Sequence, residues 1–225
     1  MIAALLLAAT VQFDHLWIVV SSDAPERAIL EKAGFRIAPE VNKHDGQGTA
    51  SIMVEFHNSF LELMWPDPTV PINRGMERAA EKFRQRKLWR TSGWSPIGIV
   101  MHRVSDDPIP FPTWSISPAW MAPGTAMVML VTRDDATSPS LSVHPATTGQ
   151  EARAMQHPIG VKNITAIGLI APKDYRAVEA LPWLEKQGVL KLDRGDAWAV
   201  EVTFDKGEQG RRKDFRPDLP LLIRY

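Results

Sequence analysis

The sequence predicts an α+β fold built from repeated βαβββ units, in which one strand and one helix precede three further strands. Residues 13–68 follow this order, and residues 161–225 repeat it. The 18 prolines in 225 residues, about 8%, exceed the usual ~5%. That excess argues against a helical bundle and favours short strands joined by rigid turns.

The first unit, residues 13–70, begins with residues 13–20, whose β-branched and aromatic side chains predict a buried strand. Pro25 fits the first turn of a short helix, and Gly34 fits its end. The remaining predicted elements are a brief strand at 35–37, a polar loop at 42–48, and strands at 50–56 and 60–65.

A connecting helix is predicted within residues 71–93. Residues 74–90 carry seven Lys and Arg residues, with Glu77 and Glu81 early and most basic residues late. The helix dipole favours this order, because its positive N-terminal end attracts acidic side chains and its negative C-terminal end attracts basic ones. We therefore expect a solvated helix rather than a partner site.

The middle unit, residues 94–160, contains nine of the 18 prolines. Strands are predicted at 97–102, 125–132 and 141–144, with a proline-stiffened loop in place of the helix. The last unit, residues 161–225, is predicted to contain strands at 164–170, 189–192, 198–204 and 219–225, a helix at 174–186 and a hairpin loop at 205–216.

Composition excludes several functions. With 26 basic and 26 acidic residues and no cysteine, the chain lacks the charge of a nucleic-acid or anionic-membrane binder. Disulfides, iron–sulfur clusters and thiol nucleophiles are also excluded.

Residues 1–12 form an apolar, signal-like extension that is too short to span a membrane and lacks a basic start. Export to the periplasm or medium and a cytoplasmic location both stay open.

The candidate chemistry centres on His15 and Glu62. His15 and Trp17 share one face of the first predicted strand because strand side chains alternate. Glu62 lies in the apolar strand FLELMW, where a carboxylate needs a metal, a base or hydrogen bonds. Histidine and glutamate suit zinc, iron, manganese or nickel. A plain hydrogen bond between the two side chains at a sheet end is the alternative.

Several short sequence segments resemble those of a known protein family. The strand order, with His15 in FDHLWIVV and Glu62 in FLELMW, resembles the vicinal-oxygen-chelate superfamily. HDGQGTA at 44–50 and EFHN at 55–58 are similar to the first-unit signature of its glyoxalase-like branch. SPIGI at 95–99, PFPTW at 110–114 and HPIG at 157–160 resemble second-half landmarks of that branch.

The resemblance implies curved mixed sheets enclosing a cup, in which a divalent metal is held by residues from the first and fourth strands of paired units. It assigns His15 and Glu62 to the metal. The second pair departs from the pattern, and only His144 offers a ligand there. Glu62 is the candidate catalytic base, and the implied reaction is that of a lyase, isomerase or ring-opening dioxygenase.

The cup is expected to bind a small organic molecule, and we predict substrate contacts from Trp17, His44, Trp65 and Trp114. Trp120 is a further aromatic candidate. The alternative is a metal-free protein that sequesters a flat hydrophobic compound, like the bleomycin-resistance relatives. The family also suggests a homodimer. Of the other histidines, His57 is expected to be exposed, and His102 and His157 to be structural.

Overall fold

A computed structural model describes residues 9–119, 121–131, 135, 137–145 and 155–225. These residues form two mixed β-sheets and a few short helices, which confirms the predicted α+β class. Most of the apolar extension, residues 1–8, lies outside the described residues. Residues 11 and 12, the last two of the 1–12 extension, already belong to the first strand.

The first unit comprises β1 (Val11–Val19), α1 (Arg27–Ala33), β2 (Asn42–His44), β3 (Thr49–Glu55) and β4 (Phe60–Pro66). Helix α1 ends at Gly34, whose φ of 97° is the left-handed conformation that glycine adopts without strain. The predicted strand at 35–37 is wrong, because Phe35 turns into the core and residues 35–37 form no ladder. The second strand instead lies in the predicted polar loop, where Lys43 pairs with Ala50.

Two helices then connect the units: α2 (Glu77–Arg86) and α3 (Trp89–Ser92). The expectation of a solvated basic helix fails at Arg86, which is only 4% exposed. The second unit contains β5 (Ile97–Arg103), β6 (Trp114–Ile116), β7 (Met127–Met129) and β8 (Ser140–His144). As predicted, the described residues between β5 and β6 form a loop rather than a helix. Strand β6 was not predicted.

The eight strands of these two units form one sheet in the order β2-β3-β4-β1-β5-β8-β7-β6. In each half the first strand pairs in parallel with the fourth, β1 with β4 and β5 with β8. The halves meet where β1 and β5 run antiparallel. This symmetric sheet curls strongly into a half-barrel, and its concave face forms the cup.

The last unit comprises β9 (Ile164–Pro172), α4 (Ala180–Lys186), β10 (Lys191–Gly195), β11 (Ala199–Phe204), β12 (Arg212–Asp214) and β13 (Leu221–Arg224). Its five-stranded sheet has the order β10-β9-β11-β13-β12. Although the element order resembles that of the first unit, β9 pairs with β10 and β11 rather than with the last strand. Strand β12 lies within the predicted hairpin loop.

The main core lies between the outer face of the large sheet and one face of the small sheet. Leu16 and Ile18 of β1 pack into this core with Val202 and Phe204 of β11, and all four are at most 2% exposed. Because side chains alternate along a strand, the intervening residues of β1 face the cup. In the part of the chain that the structure describes, no helix has the length and apolar character needed to cross a bilayer.

Candidate functional site

The concave face of the large sheet encloses a cleft of about 1090 Å³. Strands of both halves line it, and one side is closed by Ala79 and Phe83 of α2 together with Met76, which precedes the helix. The cleft contains both apolar side chains and a polar cluster around Glu62. Its size fits a small organic molecule, since ligand pockets commonly enclose ~300–1,000 Å³.

Sheet register brings His15 and Glu62 into this cleft. Trp17 of β1 pairs with Glu62 of β4, so the two side chains emerge from the same face. The β1–β5 ladder shifts between Phe13 and His15, which leaves Asp14 as an extra residue. Such a bulge lets consecutive side chains face the same way. Asp14 and His15 therefore both face the cup, whereas strict alternation would turn one of them into the core.

Asp14 orients the imidazole of His15. The Nδ1 atom of His15 lies 2.6 Å from Oδ1 of Asp14, and the ring stacks on Phe60 with 4.1 Å between ring centroids. The Nε2 atom lies 4.0 Å from Oε2 of Glu62, beyond hydrogen-bond distance. An ionised Asp14 accepts the Nδ1 proton, so His15 turns Nε2 toward Glu62.

The other oxygen of Glu62 faces β2 and β3. Ser51 Oγ donates to Glu62 Oε1 at 3.2 Å, and His44 Nε2 lies 3.9 Å from the same oxygen. His44 Nδ1 lies 3.0 Å from Thr49 Oγ1. Glu62 thus lies between His15 and His44. On the same face, the amide nitrogen of Asn42 is buried with no hydrogen-bond partner in the described structure.

The second half contributes two more histidines. The ring centroid of His144 lies 5.9 Å from that of His15, with the rings edge to face. His102, which pairs with His144 across β5 and β8, places Nδ1 3.5 Å from Oδ2 of Asp14. Asp14 therefore lies between histidines of both halves.

Burial and neighbouring charges keep this cluster in defined protonation states. Burial lowers the pKa of His144 to about 4, with a smaller contribution from His15. Burial also lowers the pKa of His44, although Glu62 opposes that change. Burial raises the pKa of Asp14, but the hydrogen bond and charge of His15 and the other two histidines outweigh it, so the pKa falls below its usual value. At neutral pH Asp14 is therefore ionised, and His44 and His144 are neutral.

Aromatic residues form one wall of the cleft. Trp17 lies across Gly98 of β5, where an added Cβ would be 1.8 Å from the indole, and it contacts Phe83 with 5.6 Å between centroids. Trp114 also lines the cleft, and its Nε1 donates to the Val131 carbonyl at 2.7 Å. Trp65 does not contact the cleft, because it lies on the core face of β4 and is 3% exposed. Trp120 lies outside the described residues.

The remaining histidines play different roles. His57 is exposed near the turn between β3 and β4, as expected. His157 is buried and bridges the backbone, accepting from Arg36 N at 3.0 Å and placing Nε2 2.9 Å from Glu55 O. His102 belongs to the polar cluster and was expected to be structural. Sequence reasoning also missed Asp14 and Ser51, because neither a bulge nor a cross-strand hydrogen bond leaves a sequence motif.

The donor chemistry around Glu62 suits a divalent metal. His15 Nε2 and Glu62 Oε2 face each other 4.0 Å apart, and an imidazole nitrogen and a carboxylate oxygen are both ligand types that divalent metals take. Metal-bound histidines commonly donate a hydrogen bond from the other ring nitrogen to a carboxylate. The contact between His15 Nδ1 and Asp14 has this arrangement. Within the described ranges, no three His, Asp or Glu side chains are grouped closely enough to hold an ion as they lie.

Comparison with known proteins identifies the fold. A family model described as "Glyoxalase-like domain" matches residues 13–185. No curated protein matches the chain. A solved structure of a hypothetical protein from Staphylococcus aureus is 12% identical, with a TM-score of 0.53, and the alignment covers 95% of this chain and 98% of that one. A hypothetical protein from Bacillus halodurans C-125 is 17% identical over 63% of this chain and 98% of its own, with a TM-score of 0.38.

Proposed function

Because the chain belongs to the glyoxalase-like domain family of the vicinal-oxygen-chelate superfamily, we propose that its cup binds a small, partly apolar organic molecule and transfers a proton at a carbon next to a carbonyl group. One observation carries the proposal. Asp14 holds His15 so that Nε2 faces Glu62 across a 4.0 Å gap inside the cleft.

In the proposed reaction His15 Nε2, in place of the candidate base Glu62, accepts the substrate proton, and the electron pair left on carbon moves to the carbonyl oxygen. The resulting imidazolium lies between Asp14 and Glu62, and both carboxylates stabilise its charge. The oxygen pair then re-forms the carbonyl. The imidazolium returns the proton to a different carbon conjugated with the enolate while the double bond shifts, which completes an isomerisation. Alternatively, the proton goes to a group that leaves the next carbon with its bonding pair as a carbon–carbon double bond forms, which completes an elimination. Ser51 fixes the orientation of Glu62.

A divalent metal is a second part of the proposal. His15 and Glu62 are its proposed primary ligands, with His44 and His144 as candidates for a third. Zinc, iron, manganese or nickel bound there would act as a Lewis acid toward substrate oxygens. With the metal bound, His15 Nε2 and Glu62 would both be ligands, so proton transfer would fall to a neighbouring group. Metal binding and proton transfer by His15 are therefore alternative uses of the same site.

Proton transfer can be tested without knowing the physiological substrate. A panel of 2-hydroxy ketones and 2-oxo acids is incubated in D2O, and deuterium incorporation at the carbon next to the carbonyl is followed by NMR. His15→Gln and Glu62→Gln are expected to lower the exchange rate by about 100-fold, a typical contribution of a positioned acid or base. Asp196→Asn, at an exposed side chain outside the cleft, is the control. Equal rates in all four proteins would refute the proposal.

Metal binding is tested separately by elemental analysis after loading with each of the four metals. We expect about one ion per chain, lost in His15→Ala and in Glu62→Ala but retained in His57→Ala. If no ion is retained after any loading, the metal part of the proposal fails, while the exchange assay still tests proton transfer.

The aromatic wall favours a second candidate function, metal-free sequestration of a flat hydrophobic compound. Trp17 and Phe83 lie side by side in the cleft, and such rings can stack on an aromatic ligand. Tight binding that quenches tryptophan fluorescence, without metal and without proton exchange, would favour this function over catalysis.

A further inference from the structure

The α2 side of the cleft contains a buried cation that the proposed chemistry does not use. Arg86, in the last turn of α2, is 4% exposed and still forms part of the cleft wall. Its Nη1 donates to the carbonyls of Ser95 at 2.6 Å and Ser138 at 2.7 Å. These bonds use two of the five N–H groups of a guanidinium.

The hydrogen-bond partners of Arg86 leave its charge incompletely compensated. Both are neutral carbonyl oxygens, and no described carboxylate lies within ion-pair distance of Arg86. Asp135 is the nearby acidic residue that favours its charged form, but Thr137 and Ser138 donate several hydrogen bonds to that carboxylate. Burying a cation without a paired anion costs free energy, so such a site gains from an anionic ligand.

A second cation lies on the same wall. Lys82 precedes Arg86 by four residues, so both side chains lie on one face of α2, and both line the cleft. Burial lowers the pKa of Lys82 to about 8, with contributions from the charges of Arg78 and Arg86, while Asp135 opposes the change. Lys82 therefore lies where it can contact, together with Arg86, an anionic group that enters this end of the cleft.

The cation pair is separated from Glu62 by the aromatic wall. Glu62, Trp17, Gly98 and Ser140 pair in one row across four strands. Three steps between strands span about 14 Å along the curved sheet. Ser138, which binds Arg86, precedes the end of that row by two residues. A ligand that reached both ends would pass over Trp17.

We infer that the cup binds an organic anion, with its carboxylate or similar acidic group at Lys82 and Arg86 and its apolar body against Trp17 and Phe83. This inference rests on the proposed function, because it names the class of molecule that the cup takes. The reacting carbon would lie at the other end of the ligand, next to His15 and Glu62.

Two fluorescent probes with the same aromatic skeleton test the inference. 8-Anilinonaphthalene-1-sulfonate carries an anionic group, and N-phenyl-1-naphthylamine does not. We expect Arg86→Gln to raise the Kd of the sulfonated probe about tenfold, as for losing a charge-assisted hydrogen bond, and Lys82→Gln to raise it about threefold. The Kd of the neutral probe is expected to change less than twofold.

The controls separate the anion site from general charge and from folding. Arg84→Gln removes a charge from the same helix, but Arg84 is exposed and pairs with Glu81, so it should leave both Kd values unchanged. Lys82→Gln keeps the test valid should Arg86→Gln fail to fold. Trp17→Ala should weaken both probes.

The outcomes distinguish the two proposals. If both probes bind and neither Lys82→Gln nor Arg86→Gln raises the Kd of the sulfonated probe more than that of the neutral probe, the anion site is refuted and the binding cup stands. If neither probe binds, or if Trp17→Ala has no effect on either, both the binding cup and the anion site are refuted.

Discussion

Asp14 determines which nitrogen of His15 faces the cup. Its carboxylate is 2.6 Å from Nδ1 of His15 and also faces His102. The bulge at this position makes that contact possible, since an unbulged strand would turn Asp14 and His15 to opposite faces. The sequence motif FDH therefore specifies an oriented imidazole only in combination with the register of β1 and β5.

Asp14→Asn tests this orientation. The amide cannot accept the Nδ1 proton with the strength of a carboxylate, so the imidazole loses its preferred tautomer. We expect affinity for zinc, measured by calorimetric titration, to fall about tenfold, as when other groups that hydrogen-bond to a metal-bound histidine are replaced. Asp196→Asn, at an exposed residue paired with Lys173, should leave the affinity unchanged. An unchanged affinity in Asp14→Asn would contradict the proposed role of Asp14.

Gly98→Ala tests the aromatic wall. A Cβ there would lie 1.8 Å from the Trp17 indole, so the ring must move or the strands must separate. We expect the free energy of unfolding to fall by about 1–3 kcal/mol, a typical cost of overpacking, and the Trp17 emission to shift.

Gly168→Ala is the matched control, because its Cβ would lie 3.6 Å from the nearest atom, an ordinary contact. Both glycines lie within strands. A loss of stability equal in the two variants would show that strand glycine itself, rather than the contact with Trp17, matters at residue 98.

At the scale of elements, the sequence predicts those strands and helix ends that a run of neighbouring residues specifies. Strand β1, the hairpin of β3 and β4, and the Gly34 helix end appear where the patterns indicated. Strand β2 was missed because its three residues are polar and face the cup or solvent, so their pairing with β3 has no apolar signature. The burial of Arg86 was missed for a related reason, since its carbonyl partners come from distant segments.

The segment after the second unit is attached to the first unit by His157. Because its Nδ1 accepts from Arg36 N and its Nε2 donates to Glu55 O, the bridge requires the neutral imidazole. Burial lowers the pKa of His157 below its usual 6.5, although the bond to Glu55 opposes the change. The unfolded chain therefore binds a proton more readily than the folded chain, and acid destabilises the fold.

We accordingly expect the contribution of His157 to be complete above pH 6.5 and to decline as the pH falls below it. Urea unfolding at pH 7.5 and at pH 5.5 measures this loss. His157→Gln should cost about 1–3 kcal/mol at pH 7.5, for the damaged buried hydrogen bonds, and should lose less stability on acidification than the unmodified chain. Leu88→Ala, at an exposed side chain that does not titrate, should reproduce the pH response of the unmodified chain, and an identical response in His157→Gln would contradict the bridge.

At the scale of the whole molecule, the two sheets share one core. Phe204 of β11 contacts Phe56 with 4.7 Å between centroids and Phe35 with 6.1 Å. These contacts join the small sheet to the back of the cup. The family model ends at residue 185, yet β11 and β13 lie beyond it and supply this side of the core.

This shared core predicts a single unfolding transition. Phe204→Ala should lower the free energy of unfolding by about 3–5 kcal/mol, since it removes a large side chain from a packed interior. Circular dichroism and tryptophan fluorescence should give coincident urea transitions in both the unmodified chain and the variant. Leu88→Ala, at a side chain that is 58% exposed, should change stability little. Two separated transitions would mean that the small sheet folds independently of the cup, and the geometry of the His15–Glu62 site would then not depend on the last unit.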